Sequence, residues 1–134
     1  LTVPNVVSAA AARYSSAVPH LTLEYSANLP EPADVPGLLA TLHEALASLG
    51  IQLDDCKSRV YRCESYRVGT GIVERAFAHL TLAVLDSRLL ETQRMAGELA
   101  LGWLRNAFVT SGLDCDMTVE VREIRAASYF KARR

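Results

Sequence analysis

Apolar and polar residues alternate at period two in four stretches of this chain, the spacing of half-buried β-strands. From His20 to Tyr25, residues Leu21, Leu23 and Tyr25 fall on one side and His20, Thr22 and Glu24 on the other. The stretch Lys57 to Val68 alternates over much of its length, Ala76 to Leu85 does so again, and Met117, Val119, Val121 and Ile124 outline a last strand. Between the strands of each pair the period lengthens. Leu38, Leu42, Ala45 and Leu49 step by 4, 3 and 4, with Leu39 and Leu46 widening the stripe. That predicts a helix capped by Asp34, with Pro36 tolerated in its first turn and Gly50 closing it. A second helix is predicted after Asp86 or Ser87. Its apolar face is Met95, Leu99, Trp103 and Ala107 with Leu104 and Phe108, and Gly112 ends it. Residues 26–32 form a loop, and Gly69-Thr70-Gly71 a turn.

The order strand, helix, strand therefore occurs twice, and the letters repeat with it. His79-Leu80-Thr81-Leu82 repeats His20-Leu21-Thr22-Leu23, 59 residues on, and Leu113-Asp114-Cys115-Asp116 echoes Leu53-Asp54-Asp55-Cys56. Two β-α-β units joined in this way predict an α+β, two-layer domain: a four-stranded sheet with two helices on one face. The other face is left bare and only partly polar, so a neighbouring subunit is expected to cover it. The copies differ at one place that bears on chemistry. Pro19 precedes the first repeated strand, and Ala78 stands before the second.

Composition narrows the classes of function. A chain of 134 residues is one domain with room for one core. A net charge of −1 gives no broad field to attract nucleic acid or an anionic membrane, so neither is an expected partner. No apolar run approaches the ~18 residues of a membrane helix. Three scattered cysteines, Cys56, Cys63 and Cys115, make no disulfide framework and suit reduced thiols in a cytoplasm. No His/Cys cluster has metal-ligand spacing. The cations are twelve Arg and two Lys, and Arg is the better fork for a carboxylate. Residues 1–18 fit the repeat nowhere. They read as an extension, either an artefact of the start site or of cloning, or a short arm. With no charged segment before the run from Val6 to Ala12, a signal peptide is not expected.

The stretch Pro19-His20-Leu21-Thr22-Leu23-Glu24-Tyr25-Ser26-Ala27-Asn28-Leu29 resembles the mature N-terminus of the 5-carboxymethyl-2-hydroxymuconate delta-isomerase family, in the tautomerase superfamily. The likeness continues through Ala33 to Leu38, Ser58-Arg59-Val60, Ala76 to Leu82, Arg88 to Gln93, Ala96-Gly97-Glu98, Glu120 to Glu123 and Phe130-Lys131. It thus spans a tautomerase-like domain over residues 19–134. The resemblance implies a homotrimer with an active site near each subunit boundary, no metal and no organic cofactor. It also implies a small polycarboxylate substrate of the 2-hydroxymuconate type, and Pro19 as general base. Arg59 and Arg88 would then grip carboxylates and stabilise a dienolate. Lys57 stands where the family has a second basic residue two positions before the Ser-Arg-Val arginine, keeping the charge without the fork.

A proline at a chain start carries a secondary amine, and a free α-amino group titrates near ~8, a value that burial or a nearby cation lowers. In the chain as written the Pro19 nitrogen is an amide and cannot accept a proton. A valine codon at Val18, read as an initiating Met that is then removed, would expose it; otherwise the site is dead or remodelled. His20 and His79 share a strand face and read as solvent- or interface-facing. Arg59 either binds substrate or pairs across the sheet with Glu64 or Glu120. Arg88 at a helix start is disfavoured by the helix dipole, which suggests an anionic ligand. Glu24, Tyr25 and Trp103 read as strand and core residues. Three functions follow from these observations: a proton-transferring isomerase, a catalytically silent trimeric scaffold with a capped Pro19, and a monomeric ferredoxin-like ligand sensor.

Overall fold

The alternating stretches are strands in the computed structural model, which describes residues 6–8, 19–109 and 111–134. In chain order the elements are β1 (Val6–Ser8), β2 (His20–Ser26), α1 (Val35–Ala47), β3 (Lys57–Cys63), β4 (Ala76–Leu85), α2 (Leu90–Ala107), β5 (Cys115–Ile124) and β6 (Phe130–Ala132). The main sheet has four strands in the order β3-β2-β4-β5. Each outer strand runs parallel to its inner neighbour, and the inner pair, β2 and β4, is antiparallel. This is the duplicated β-α-β arrangement, with the units back to back. Beyond 6–8, the reading of residues 1–18 as an extension lies outside the described residues. Residues 6–8 pair antiparallel with β6 of the same chain, Val7 opposite Lys131.

Strand parity sorts the residues into two faces. Leu21, Leu23, Tyr25, Ala76, Ala78, Leu80 and Leu82 point under the helices and are each at most 2% exposed. Leu42 and Leu46 of α1 and Ala96, Ala100 and Leu104 of α2 close the core over them. Tyr25 packs on Phe108 with ring centroids 5.3 Å apart. Across the opposite face run Lys57, His20, Ala83 and Arg122 in one rank and Arg59, Thr22, Thr81 and Glu120 in the next. In the single chain that face is mixed in polarity. Among the described residues no helix is long and apolar enough to cross a membrane.

Local signals decide most of the element ends. The Asp34 side chain accepts from the Gly37 amide at 3.0 Å and caps α1, with Pro36 in the first turn. Gly50, at φ +85°, takes the chain out of the turn that follows α1. Three expectations are corrected. First, β3 stops at Cys63, because the following residues Glu64 to Arg67 are polar or exposed and have no strand to pair with. Second, neither Asp86 nor Ser87 caps α2; Leu89 holds the cap position, with no side-chain cap bond. The chain first makes a turn in which the Arg88 amide donates to Leu85 O at 3.1 Å. Third, the buried stripe of α2 is Gln93, Ala96, Ala100 and Leu104, and Met95 is 42% exposed. Small residues bring the helix close to the sheet: a Cβ on Gly97 would lie 3.3 Å from Val121 Cγ2. Trp103 stands between the helices, donating its indole N–H to Leu38 O and Thr41 Oγ1, both at 3.1 Å.

The letter repeat has a geometric meaning. Thr22 pairs directly with Thr81, its counterpart in the repeat, so a pseudo-two-fold axis passes between them. Strand parity extends the equivalence outwards. Thr22 neighbours Arg59 in β3, and Thr81 neighbours Glu120 in β5. The axis therefore relates a cation at one end of the sheet to an anion at the other.

Leu80→Ala is expected to lower the unfolding free energy by about 2–5 kcal/mol in chemical denaturation, the range for a buried leucine. Met95→Ala should change it by less than about 0.5 kcal/mol. A large loss with Met95→Ala would overturn the assignment of the α2 face.

Candidate active site

At one end of the sheet the starts of β2 and β3 meet the ends of β4 and β5, because the inner strands are antiparallel. Pro19 sits at this end, just before β2. It is less than 2% exposed, and its carbonyl accepts from the Lys57 amide at 3.2 Å. The nitrogen of Pro19 is bonded to Val18. As a tertiary amide it has neither a proton to donate nor a basic lone pair.

Arg88 reaches the same end through the turn after β4. The Arg88 carbonyl accepts from Gln93 Nε2 at 3.1 Å, and the same amide donates to Glu123 Oε1 at 3.0 Å. This buried glutamine fixes the backbone at Arg88. Among the described residues the Arg88 Nη2 atom is buried and has no hydrogen-bond partner. A buried charged donor without an acceptor is costly, and such a group is poised for an anionic oxygen from outside the chain. Its charge, with that of Lys57, acts on Cys56. Burial, then Asp55, pushes that thiol up from its ordinary value, while Lys57 and Arg88 pull it down.

Lys57 donates through Nζ to the Asp55 carbonyl at 3.0 Å. The Asp55 carboxylate faces Lys131 Nζ at 3.7 Å. Arg59, one rank further in, neither pairs with Glu64 nor with Glu120, the two partners expected of a purely structural role. Glu64 is held by Arg62 at 3.1 Å, and Glu120 by Arg122 at 3.0 Å. Arg59 instead donates from Nη2 to His20 Nδ1 at 3.2 Å. On its other side the His20 ring meets Tyr129, with Nε2 3.0 Å from Oη. Burial, then the charges of Arg59 and Lys57, hold the His20 pKa below its usual 6.5.

Of the residues expected at a site, Pro19, Lys57, Arg59 and Arg88 thus share one end of the sheet. His20 and Tyr129 join them, although the sequence reading left His20 facing solvent or an interface. His79, the repeat counterpart of His20, meets Thr118 Oγ1 at 2.7 Å and Glu120 at 3.7 Å instead. The free thiols Cys56, Cys63 and Cys115 form no disulfide with one another. Among the described residues no group of three or more His, Cys, Asp and Glu is arranged to hold a metal ion.

A family model described as 5-carboxymethyl-2-hydroxymuconate isomerase matches residues 19–133. The Escherichia coli 5-carboxymethyl-2-hydroxymuconate Delta-isomerase is 31% identical over 117 residues, covering 85% of this chain and 93% of that protein. The crystal structure of a 5-carboxymethyl-2-hydroxymuconate isomerase from Deinococcus radiodurans R1 superposes with a TM-score of 0.78 at 29% identity, over 86% of this chain and 89% of the other. The fold is shared more widely: a fused 4-OT protein solved as a symmetric trimer superposes with a TM-score of 0.64 at 19% identity, over 80% of this chain and 86% of its own.

The lowered pKa of His20 has a consequence for stability. At pH above 6.5 the ring is neutral in both folded and unfolded chains, and its contribution is complete. As pH falls below 6.5 the unfolded chain takes up the proton first, so stability drops until pH passes the folded value. His43, also lowered by burial, acts in the same direction. The melting temperature is therefore expected to fall between pH 7.5 and pH 5. His20→Gln should flatten that slope in part; an unchanged slope would exclude a depressed His20.

Proposed function

This chain belongs to the 5-carboxymethyl-2-hydroxymuconate isomerase family, and on that premise we propose that it moves a proton within a 2-hydroxymuconate-type unsaturated oxo-acid, with Pro19 as general base once its nitrogen is a free amine. The observation that carries the reading is the buried Arg88 Nη2, without a hydrogen-bond partner among the described residues, at the sheet end where Pro19 precedes β2.

A free secondary amine at Pro19, buried and flanked by cations, would titrate below the ~8 of an ordinary α-amino group. Near neutral pH it is then unprotonated and suited to general-base work. It takes the proton from the dienol oxygen of the substrate. The oxygen lone pair becomes the C=O bond, and the double bonds shift along the conjugated chain. The proline ammonium returns the same proton to a carbon at the far end of that chain, so no atom or electron is gained or lost. Arg88 and Arg59 hold the substrate carboxylates and favour the dienolate as charge develops on it. Lys57 adds a point charge to the same field. The step draws on no group beyond these side chains and the proline amine.

Self-association into a homotrimer belongs to the same proposal. It is supported by the fused 4-OT trimer, which shares the fold, and by large apolar residues left in solvent, among them Ile72 at 86% exposed and Phe130 at 71%. A second reading is favoured by the amide at Pro19: a trimer that binds the ligand and leaves it unchanged.

Two experiments separate these readings. Ketonisation of a dienol, followed by ultraviolet absorbance, is expected only for a form that begins at Pro19, and the chain with residues 1–18 attached should be inactive. Equal activity in both forms would remove Pro19 as the base. In the active form Arg88→Ala should lower kcat/KM by about 10²–10³-fold, the usual cost of one preorganised donor. Sedimentation should give three times the 14.6 kDa chain mass; a monomer would favour a ligand-sensing domain.

A further inference from the structure

We propose that His20 is a positioning residue for Arg59, its ring held in orientation by Tyr129, so that the C-terminal tail sets the direction of a substrate-binding guanidinium. The inference rests on the reading of Arg59 as a carboxylate ligand and adds the device that aims it.

The tautomer follows from which atoms can donate. A guanidinium has only donors, so the Arg59 Nη2 contact at 3.2 Å requires a lone pair on His20 Nδ1. The ring proton then lies on Nε2 and is donated to Tyr129 Oη at 3.0 Å. The two rings also meet edge to face, with centroids 6.2 Å apart and planes at 70°. Had the proton been on Nδ1, it would point at a cation, and Nε2 would offer Tyr129 only an acceptor. Arg59 thereby selects the tautomer, and Tyr129 Oη, which can donate or accept, takes the Nε2 proton and holds the ring in the orientation that faces Arg59.

Tyr129 is itself anchored. The turn Ala126–Ser128 returns the chain after β5, and the Tyr129 amide donates to Ala126 O at 3.3 Å. Ala126, 1% exposed, packs with Leu85, 4% exposed, in a small apolar cluster that Ile124 and Tyr129 border. Two residues beyond Tyr129, Lys131 reaches Asp55 on the far side of the sheet end. The tail is thus fastened on both sides of the His20 contact.

Among the described residues Arg59 is held through one Nη2 donor, and its other N–H groups can form a fork on a carboxylate. The side chain is also spared rotamer entropy it would otherwise lose on binding. His79, at the equivalent place in the other unit, has a hydroxyl and a carboxylate as neighbours and aims no cation.

The test uses the full chain and a readout that does not depend on turnover. Nitrogen-15 spectra near neutral pH are expected to show His20 unprotonated at Nδ1 and protonated at Nε2, with a sharp Arg59 side-chain signal. His20→Asn keeps an acceptor oxygen near the place of Nδ1 and should retain that signal. His20→Gln puts an amide near the place of Nε2 and should broaden it, and Tyr129→Phe should broaden it without changing the far-ultraviolet circular dichroism. Titration with cis,cis-muconate, a six-carbon unsaturated dicarboxylate, should be weakened about tenfold by His20→Gln and by Tyr129→Phe, and far less by His20→Asn. A proton on His20 Nδ1, or an Arg59 signal indifferent to His20→Gln, would overturn the proposal. If the Arg59 signal responds as stated while the unaltered chain binds no muconate, the positioning stands and the reading of Arg59 as a carboxylate ligand falls.

Discussion

The antiparallel register of β2 on β4 decides where every other group in this protein falls. Thr22 opposite Thr81 puts Leu21, Leu23, Leu80 and Leu82 together under the helices. A slip of β2 by one residue would turn Leu21 and Leu23 to the open face and bury His20 and Glu24, so the hydrophobic pattern specifies this register strongly. The same register brings the start of β2 to the end of β4. Pro19 and Arg88, 69 positions apart in the chain, meet at one sheet end for that reason alone. The core is thus the device that brings the candidate residues to one end, although none of their side chains, the buried Pro19 included, belongs to the core cluster.

Electrostatics at that end is local and runs against the overall charge of −1. Lys57, Arg59 and Arg88 lie at that end, and of the carboxylates named with them Asp55 faces Lys131 and Glu123 accepts from Gln93. His20 stays neutral and accepts from a cation. An anion approaching this end meets donors whose competing acceptors are few or already engaged. That environment suits an acidic ligand and would also keep a free proline amine in its basic form.

Much of this was legible in the sequence because strands report their faces at period two. Ala76 to Leu85 is a strand with the ends the pattern indicates, and the repeated His-Leu-Thr-Leu marks the central pair. Signals that depend on size or on distant partners were harder to read. Of the large apolar residues assigned to the α2 face, Leu104 and Phe108 are buried but Met95 is not, and the close approach to the sheet is made by Ala96, Gly97 and Ala100. Alternation continuing past Cys63 looked like strand, but the pattern cannot tell that no partner runs beside it. Pro19, Lys57, Arg59 and Arg88 came from a family resemblance rather than from spacing. The His20 to Tyr129 contact joins residues 109 apart, and nothing local announces it. The available hint was a histidine next to Pro19 and a tyrosine in a tail too short to reach far from the sheet it follows.

The pseudo-two-fold axis between the units has a consequence for ligand binding. A symmetric duplication would equip both ends of the sheet alike, and each chain could saturate with two equivalents of a polyanion. Here the position related to Arg59 is Glu120, and the one related to Lys57 is Thr118. The second unit therefore lacks the two cations at the equivalent positions, and the proposed carboxylate grip is not duplicated along with the fold.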